Sequence, residues 1–408
     1  MSARSIRSLL FSTLYPSSVR PGHGVFVETR LRELLRGGRV EARVLAPVPW
    51  FFSGHPRWGG YAMHARTPRA ERRNGIEVVH PRFLLAPKVG MTAAPLALAA
   101  AALPAARQMI REGFDFDLID AHYFYPDGVA AALLAGWLDK PLVITARGSD
   151  LTLVGRHAVP RAWMRWAAGR ASACAGVSRS LVDILETWGV PRHKLHVLRN
   201  GVDLERFAPR PVEAARRAVG AGSGVVLLMV GHLVELKGHA VVIDAMPTLL
   251  ATHPGLELLI VGDGPERPRL EAQVQRLGLA ANVRFAGAVA NEALADWYSA
   301  ADLLVLASSR EGWPNVLLEA MACGTPVVAT RCGGVPEIVT SPDAGSLIDE
   351  RDPAAVARAI LDQLHARIPR ERVRAWAERF SWKATSDAQV ALFAAATAAG
   401  EGSAACVM

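Results

Sequence analysis

Two glutamates eight positions apart, Glu311 and Glu319, stand in the stretch Ser308–Gly334 where little else is charged. Nineteen residues lie between Glu311 and Arg331, and Glu319 is the only charged one among them. An ionised carboxylate in such apolar company is costly unless something pairs with it. A solvated helix face, or a bond to nearby backbone, is the ordinary alternative. Val316–Cys323 reads as a short helix with Pro314 and Asn315 at its front and Gly324 as its stop. Pro326–Thr330 reads as a buried strand. The loop Gly312-Trp313-Pro314-Asn315 leads into the helix at Val316, so its backbone N–H groups and the positive helix end form an anion seat. One carboxylate ahead of the seat and one behind it suit a ligand that carries a phosphate and hydroxyls.

The rest of the chain must position that stretch. Short β-branched runs alternate with helical stretches in both halves, for example Leu118–His122 before Val129–Leu138 and Leu256–Val261 before Pro265–Leu277. The alternation predicts an α/β chain of two doubly wound, Rossmann-like domains. The expected division is 1–200, 201–378, a helix at 379–395 crossing back to the first domain, and a loose tail at 396–408, with the turn-rich Arg199–Pro211 as the junction. Ligand sites in such domains gather at the carboxyl ends of the strands. There the second half offers Gly231-His232 through Lys237-Gly238, then Gly262-Asp263-Gly264-Pro265, then Ser308–Gly312. Each glycine permits close backbone approach, and each loop precedes a helix start. Arg267 stands where GxGxxG needs its third glycine and no GKS or GKT occurs, which disfavours a dinucleotide dehydrogenase and a P-loop ATPase. Lys237 is a surface lysine or, beside two such loops, a cation opposing diphosphate charge.

Composition narrows the partners. Of 408 residues, 51% are apolar, enough for two cores. Residues 1–200 hold 27 basic against 14 acidic side chains and the remainder 19 against 24, so the halves carry +13 and −5, summing to +8. A basic half favours phosphates or an anionic membrane surface. Nucleic acid is not expected, for no basic stripe interleaves with aromatics. The four cysteines lack CxxC pairing and zinc spacing, so a reducing, cytoplasmic setting without disulfides or structural metal is expected. Asp115-Phe116-Asp117 precedes its strand and reads as a turn, not a metal motif. The N-terminal apolar run, broken by serines and without a small-residue cleavage site, reads as a first strand. Val89–Ala106, alanine-rich with Pro95 and Pro104, reads as a helix packed on the first domain, with or without a face on a bilayer, and not as a membrane span. Trp50-Phe51-Phe52 and Trp58, with Arg57 and Arg66, form an aromatic and basic cluster suited to an interface, to an acceptor mouth, or to folding onto its own core.

Glu311-Gly-Trp-Pro-Asn-Val-Leu-Leu-Glu319 and the Ala-Met-Ala-Cys-Gly-Thr-Pro-Val-Val-Ala that follows resemble the E-x7-E signature of GT4-type retaining glycosyltransferases, whose architecture is GT-B. Leu198–Asp203, Val177-Ser178 and Gly262–Pro265 share the resemblance, which covers nearly the whole chain. It implies two Rossmann-like domains facing across a cleft and transfer of a sugar from a nucleotide-sugar donor with retention, without a metal or cofactor. Glu319 would hold the donor ribose hydroxyls, and Glu311 would address the transferred sugar. The Gly312, Trp313, Pro314, Asn315 and Val316 backbone would seat the diphosphate against Lys237. Gly231, His232, Gly262, Gly264 and, from the first domain, Gly24 would complete the donor side. His122 would act at the reacting centre, and Arg147 and Asp150 would line the acceptor side. The resemblance is to the cell-envelope and exopolysaccharide type, and the hydrophobic, basic first half points to a saccharide or lipid-linked acceptor and to work at the inner face of a membrane. Relatives commonly carry Arg where His232 stands, and His is charged only in part near neutral pH. Arg199, Arg310 or Arg331 would then stand in. A GT-B nucleotide-binding scaffold without turnover, or a GT-B epimerase or phosphorylase, are the competing readings.

Overall fold

The computed structural model describes residues 4–84 and 90–404, and the chain divides into two compact units. One comprises the chain up to Arg199 together with everything from Lys383 onward; the other runs from Asn200 to Trp382.

The first unit contains strands β1 (Ile6–Phe11), β2 (Val40–Leu45), β3 (Val48–Pro49), β4 (Ala70–Arg73), β5 (Ile76–Val79), β6 (Arg82–Phe83), β7 (Leu118–His122), β8 (Leu142–Ala146), β9 (Ala173–Gly176) and β10 (Leu195–Val197). Eight form one sheet in the order β10-β9-β8-β7-β1-β2-β5-β4, while β3 pairs with β6. Every neighbour in the large sheet is parallel except β4 against β5. The central strands are mostly apolar because helices cover both faces, with Asp120 and His122 of β7 as buried exceptions. Leu9, Leu10, Phe11, Leu118 and Ile119 are fully buried. Strand order reverses between β1 and β7, which opens a crevice at their carboxyl ends. β4, sequence Ala-Glu-Arg-Arg, went unforeseen because a polar edge strand carries no alternating apolar signal.

The second unit repeats the plan with β11 (Val226–Val230), β12 (Glu257–Val261), β13 (Val283–Gly287), β14 (Leu303–Leu306), β15 (Val327–Thr330) and β16 (Gly345–Ile348). They form one parallel sheet in the order β13-β12-β11-β14-β15-β16, reversing between β11 and β14. The core joins sheet residues such as Leu227, Leu258 and Leu303 to Val242, Met246 and Leu249 of the helix His239–Thr252.

The last helical stretch, which the sequence pattern runs unbroken from Glu371 to Ala395, is two helices, Arg370–Ala377 and Trp382–Ala404. The break lies where Phe380 and Ser381 pair with Val202, whose N–H donates to the Phe380 carbonyl at 2.9 Å. Leu392, Phe393 and Ala396 of the second helix join Leu34, Leu118, Val143 and Ala175 in the first unit's core. The loose tail expected at 396–408 is therefore helical as far as Ala404, and residues 405–408, Cys406 among them, lie outside the described residues. The stretch expected as a packed helix forms Gly90–Arg111, with Leu98, Ala99, Ala102 and Ala106 fully buried; Val89 lies outside the described residues. Thr92–Arg111 has the length and apolarity of a membrane span, but those buried side chains are what a packed helix requires.

Candidate functional site

The second unit brings Glu311 and Lys237 together across its switch point. Lys237 follows β11 and Glu311 follows β14, neighbouring strands whose carboxyl ends face one crevice. The Lys237 Nζ lies 2.6 Å from Glu311 Oε1, which also accepts from Ser308 Oγ at 2.6 Å. Both side chains are mostly withdrawn from water, 23% and 10% exposed, so the pair is worth more than a surface ion pair. The Glu311 backbone is pinned from behind by Gly333, at φ +51°, where a Cβ would lie 1.7 Å from the Glu311 carbonyl oxygen. The second carboxylate oxygen of Glu311 has no protein partner among the described residues and is available to a ligand.

Glu319 sits on the helix Asn315–Ala322. The Tyr298 hydroxyl, itself fully buried, donates to its Oε2 at 2.7 Å. Burial raises the Glu319 carboxyl above the usual range, while Tyr298 and the charge of Arg206 pull it back. Its other oxygen is without a protein partner among the described residues. Arg374 fixes the far end of this helix by donating to the Ala322 carbonyl at 2.7 Å and to the Phe207 carbonyl at 2.6 Å. The near end begins at Pro314 with no side-chain cap; Leu317 N–H donates to the Pro314 carbonyl at 3.1 Å, and the Asn315 and Val316 amides are left to a ligand or water.

Within the Gly312–Val316 loop two side chains turn away from any ligand. Trp313 is buried, donates its indole N–H to the Asn200 carbonyl at 3.0 Å and packs on Phe380. Asn315 Oδ1 accepts from Asn200 Nδ2 at 3.2 Å. Trp313 can thus serve a donor through its backbone alone, and both side chains anchor the loop.

The glycines Gly231, Gly262 and Gly264 line a hollow of about 650 Å³ with Val230, Val261 and Leu294. His232 lines it too, exposed, its Nδ1 2.5 Å from the Asp263 carbonyl. That bond turns the ring toward the loop after β12, and among the described residues His232 makes no hydrogen bond to Lys237 or Glu311. Of the stand-ins, Arg331 binds Asp349. Gly262 has φ +139° and a Cβ there would fall 1.9 Å from the Gly231 carbonyl oxygen. Gly262→Ala should therefore cost about 2–5 kcal/mol in chemical denaturation, strain and overlap acting together.

In the first unit the crevice between β1 and β7 holds a buried polar network. His122 ends β7 and is 1% exposed; its Nε2 lies 3.1 Å from Asp120 Oδ2 and its Nδ1 meets an Arg147 nitrogen. Arg147 being always a donor, Nδ1 accepts and the ring proton sits on Nε2. Both ring nitrogens are engaged within the protein, so His122 reaches a substrate only if Arg147 leaves it. Asp150, placed on the acceptor side by the sequence, is fully buried, and its carboxylate accepts from the N–H groups of Phe124, Arg147 and Gly148 at 2.7–3.2 Å. It shapes the loop after β8 and lines no open surface. Gly24, at φ +70°, begins the helix Val25–Arg36, where a Cβ would meet the Leu14 carbonyl oxygen at 2.3 Å.

Asp127 was not singled out from the sequence. Fully buried, it accepts from Thr13 N at 2.8 Å, Thr13 Oγ1 at 2.9 Å and Ser12 Oγ at 3.3 Å, fixing the loop after β1. Burial pushes its carboxyl up to about 7, and pushes the His122 imidazole down to about 4. The two act oppositely on stability. Between pH 6.5 and about 4 the unfolded chain binds a proton that native His122 refuses, so this contribution falls as pH falls. Native Asp127 keeps a proton that the unfolded chain has released, so its contribution falls as pH rises from 3.8 toward 7. Urea unfolding at several pH values should therefore show His122→Gln losing less stability than the native sequence on acidification, by about 1 kcal/mol per pH unit. Asp127→Asn should lose less on the way up.

Asp115 and Asp117 lie at the opposite, amino edge of β7. Asp117 accepts from Arg7 N at 2.7 Å, and Asp115 pairs with Lys140 at 2.7 Å, which is the turn role expected of them. Among the described residues no three His, Cys, Asp or Glu side chains converge as metal ligands.

Comparison with known proteins bears on both units. Residues 213–380 match the family model for glycosyl transferases group 1, and residues 61–206 match that for glycosyltransferase family 4. A Bacillus subtilis protein carrying the name teichuronic acid biosynthesis glycosyltransferase TuaC is 32% identical over 370 residues, 89% of this chain and 90% of the relative. The D-inositol 3-phosphate glycosyltransferase of Geodermatophilus obscurus is 35% identical over 312 residues, 69% of this chain and 67% of the relative. The solved sucrose-phosphate synthase of Thermosynechococcus elongatus superposes with a TM-score of 0.76 at 22% identity, covering 97% of this chain and 100% of that one. With both halves matched and a relative aligned over nearly its full length, the chain belongs to the GT4-type glycosyltransferases and has their GT-B fold.

Proposed function

We propose that this glycosyltransferase moves a sugar from a nucleoside diphosphate sugar to a saccharide or lipid-linked acceptor, with retention and without a metal, in cell-envelope or exopolysaccharide synthesis. The observation that carries the reading is the Lys237–Glu311 pair at the switch point of the second unit, with Glu319 behind it. Lys237 and the uncapped helix start at Asn315 supply positive charge where a leaving diphosphate must be stabilised. Glu311 offers one free carboxylate oxygen to the sugar, and Glu319 offers one to vicinal hydroxyls. The hollow beside Gly231 and Gly262, about 650 Å³, has the volume for a nucleobase. The likeness to TuaC favours a cell-envelope polymer as product. We place the reaction on the cytoplasmic side of a membrane, in keeping with the basic first half.

Incubation with UDP-, GDP-, ADP- and dTDP-sugars in the presence of EDTA, followed by nucleotide release, tests the donor class. Release from one donor set, undiminished by EDTA, is expected. The anomeric configuration of the first product, read by proton NMR, then tests retention. An inverted product, or release that EDTA abolishes, would contradict the corresponding part.

A further inference from the structure

The first unit carries an aromatic rim whose exposure the reaction does not explain. β3 ends at Pro49, and the chain then enters Trp50–Tyr61, held to the sheet by the Trp50 N–H donating to the Phe83 carbonyl at 2.7 Å. Trp50, Phe52, Tyr61 and Leu84 are 52%, 61%, 65% and 72% exposed. The rings pack on one another instead of on the core: Phe51 lies 4.6 Å from Phe52, 5.8 Å from Trp58 and 5.5 Å from Tyr61, centroid to centroid. The result is a fixed platform. Four exposed large apolar side chains gathered in one place, with Trp58 among them, mark an interaction surface, whereas the chain's other exposed ones, such as Leu96, Trp137 and Val159, lie elsewhere in the sequence.

Its charge is one-sided. No Asp or Glu occurs between Glu41 and Glu71, while Arg57, Arg66 and Arg69 are all exposed there. None of the three forms an ion pair among the described residues; Arg57 instead lies over the Trp58 ring at 5.0 Å, and Arg66 donates to the Gly54 carbonyl at 2.6 Å. Tryptophan and tyrosine with arginine at one level are the side chains that settle at the headgroup layer of a bilayer, the rings among the acyl ends and the cations at the phosphates.

We infer that the Trp50–Tyr61 rim with Leu84 is a docking surface for an anionic lipid bilayer. The inference rests on the reading of a membrane-side acceptor, and names the surface that would bring the first unit to it. Because the rim follows β2 and β3 at the carboxyl edge of the sheet, docking would hold the crevice between β1 and β7 beside the headgroups.

The test is co-sedimentation of the full chain with vesicles of phosphatidylglycerol mixed equally with phosphatidylcholine, and with phosphatidylcholine alone. The intact protein should bind the anionic vesicles at least about tenfold more tightly, with the preference falling as salt rises. The triple variant Trp50→Ala, Phe52→Ala, Tyr61→Ala should lose at least about tenfold of that binding. Its Tm and its stabilisation by nucleoside diphosphate should stay unchanged, because these side chains face water. Equal sedimentation of the variant, or no preference by the intact protein, would overturn the inference. So would a raised KM for a soluble saccharide acceptor with vesicle binding intact, which would make the rim a glycan platform. Vesicle binding lost in the variant, without any nucleotide-linked stabilisation in either protein, would sink the transferase reading and uphold this surface.

Discussion

Lys237→Ala should lower kcat by about 10²- to 10³-fold, the usual loss when a positioned donor to a developing anion is removed. In the unliganded site Lys237 is held by Glu311 at 2.6 Å, so its ammonium is already desolvated and aimed when a diphosphate arrives. His232 bonds the Asp263 carbonyl and makes no hydrogen bond to Lys237 or Glu311 among the described residues. Glu311 keeps its bond from Ser308 in the variant, which limits the cost to stability. Circular dichroism melts should therefore show a folded protein with a small drop in Tm. Lys237→Arg should recover part of the rate, the charge remaining while the compact ammonium becomes a planar fork. A loss below tenfold would mean that another cation serves the leaving group.

Glu319→Ala is expected to weaken nucleotide binding about 100-fold, close to 3 kcal/mol, as charge-assisted bonds to two hydroxyls are removed. The fold should survive, for burial has already raised this carboxyl and made its ionised form a burden on the folded state. Alanine leaves the buried Tyr298 hydroxyl without its acceptor, a cost of about 1–3 kcal/mol that Glu319→Gln avoids. The glutamine variant should bind weakly yet melt close to the native protein. A pH effect accompanies the same site. Holding hydroxyls needs the carboxylate, so nucleotide affinity should fall on acidification at a higher pH than an ordinary glutamate would give. Calorimetry across that range checks it.

The alternation of β-branched runs and helical stretches placed most strands of both sheets, β4 and β16 escaping it, and the spacing of Glu311 and Glu319 marked the second unit's candidate site. Direction was harder to read than position. A tryptophan in an anion-seat loop looks like a ligand contact until its indole is found on the Asn200 carbonyl. Asp150 follows a strand end as an acceptor residue should, yet it serves only backbone N–H groups. Tyr298 and Asp127 were invisible for a different reason: their partners lie 21 and 114 positions away, and no local period encodes such a meeting. The C-terminal helix was legible by composition, but its break was not, because Phe380 and Ser381 leave the helix to pair with Val202.

The central claim is that the switch point of the second unit is a nucleoside diphosphate seat built by Lys237, Glu311 and Glu319. Isothermal titration of the full chain with UDP, GDP, ADP and dTDP tests it most directly. One base should bind at a single site, and both Lys237→Ala and Glu319→Ala should weaken that binding at least about tenfold. Binding by none of the four, or binding that neither substitution alters, would contradict it.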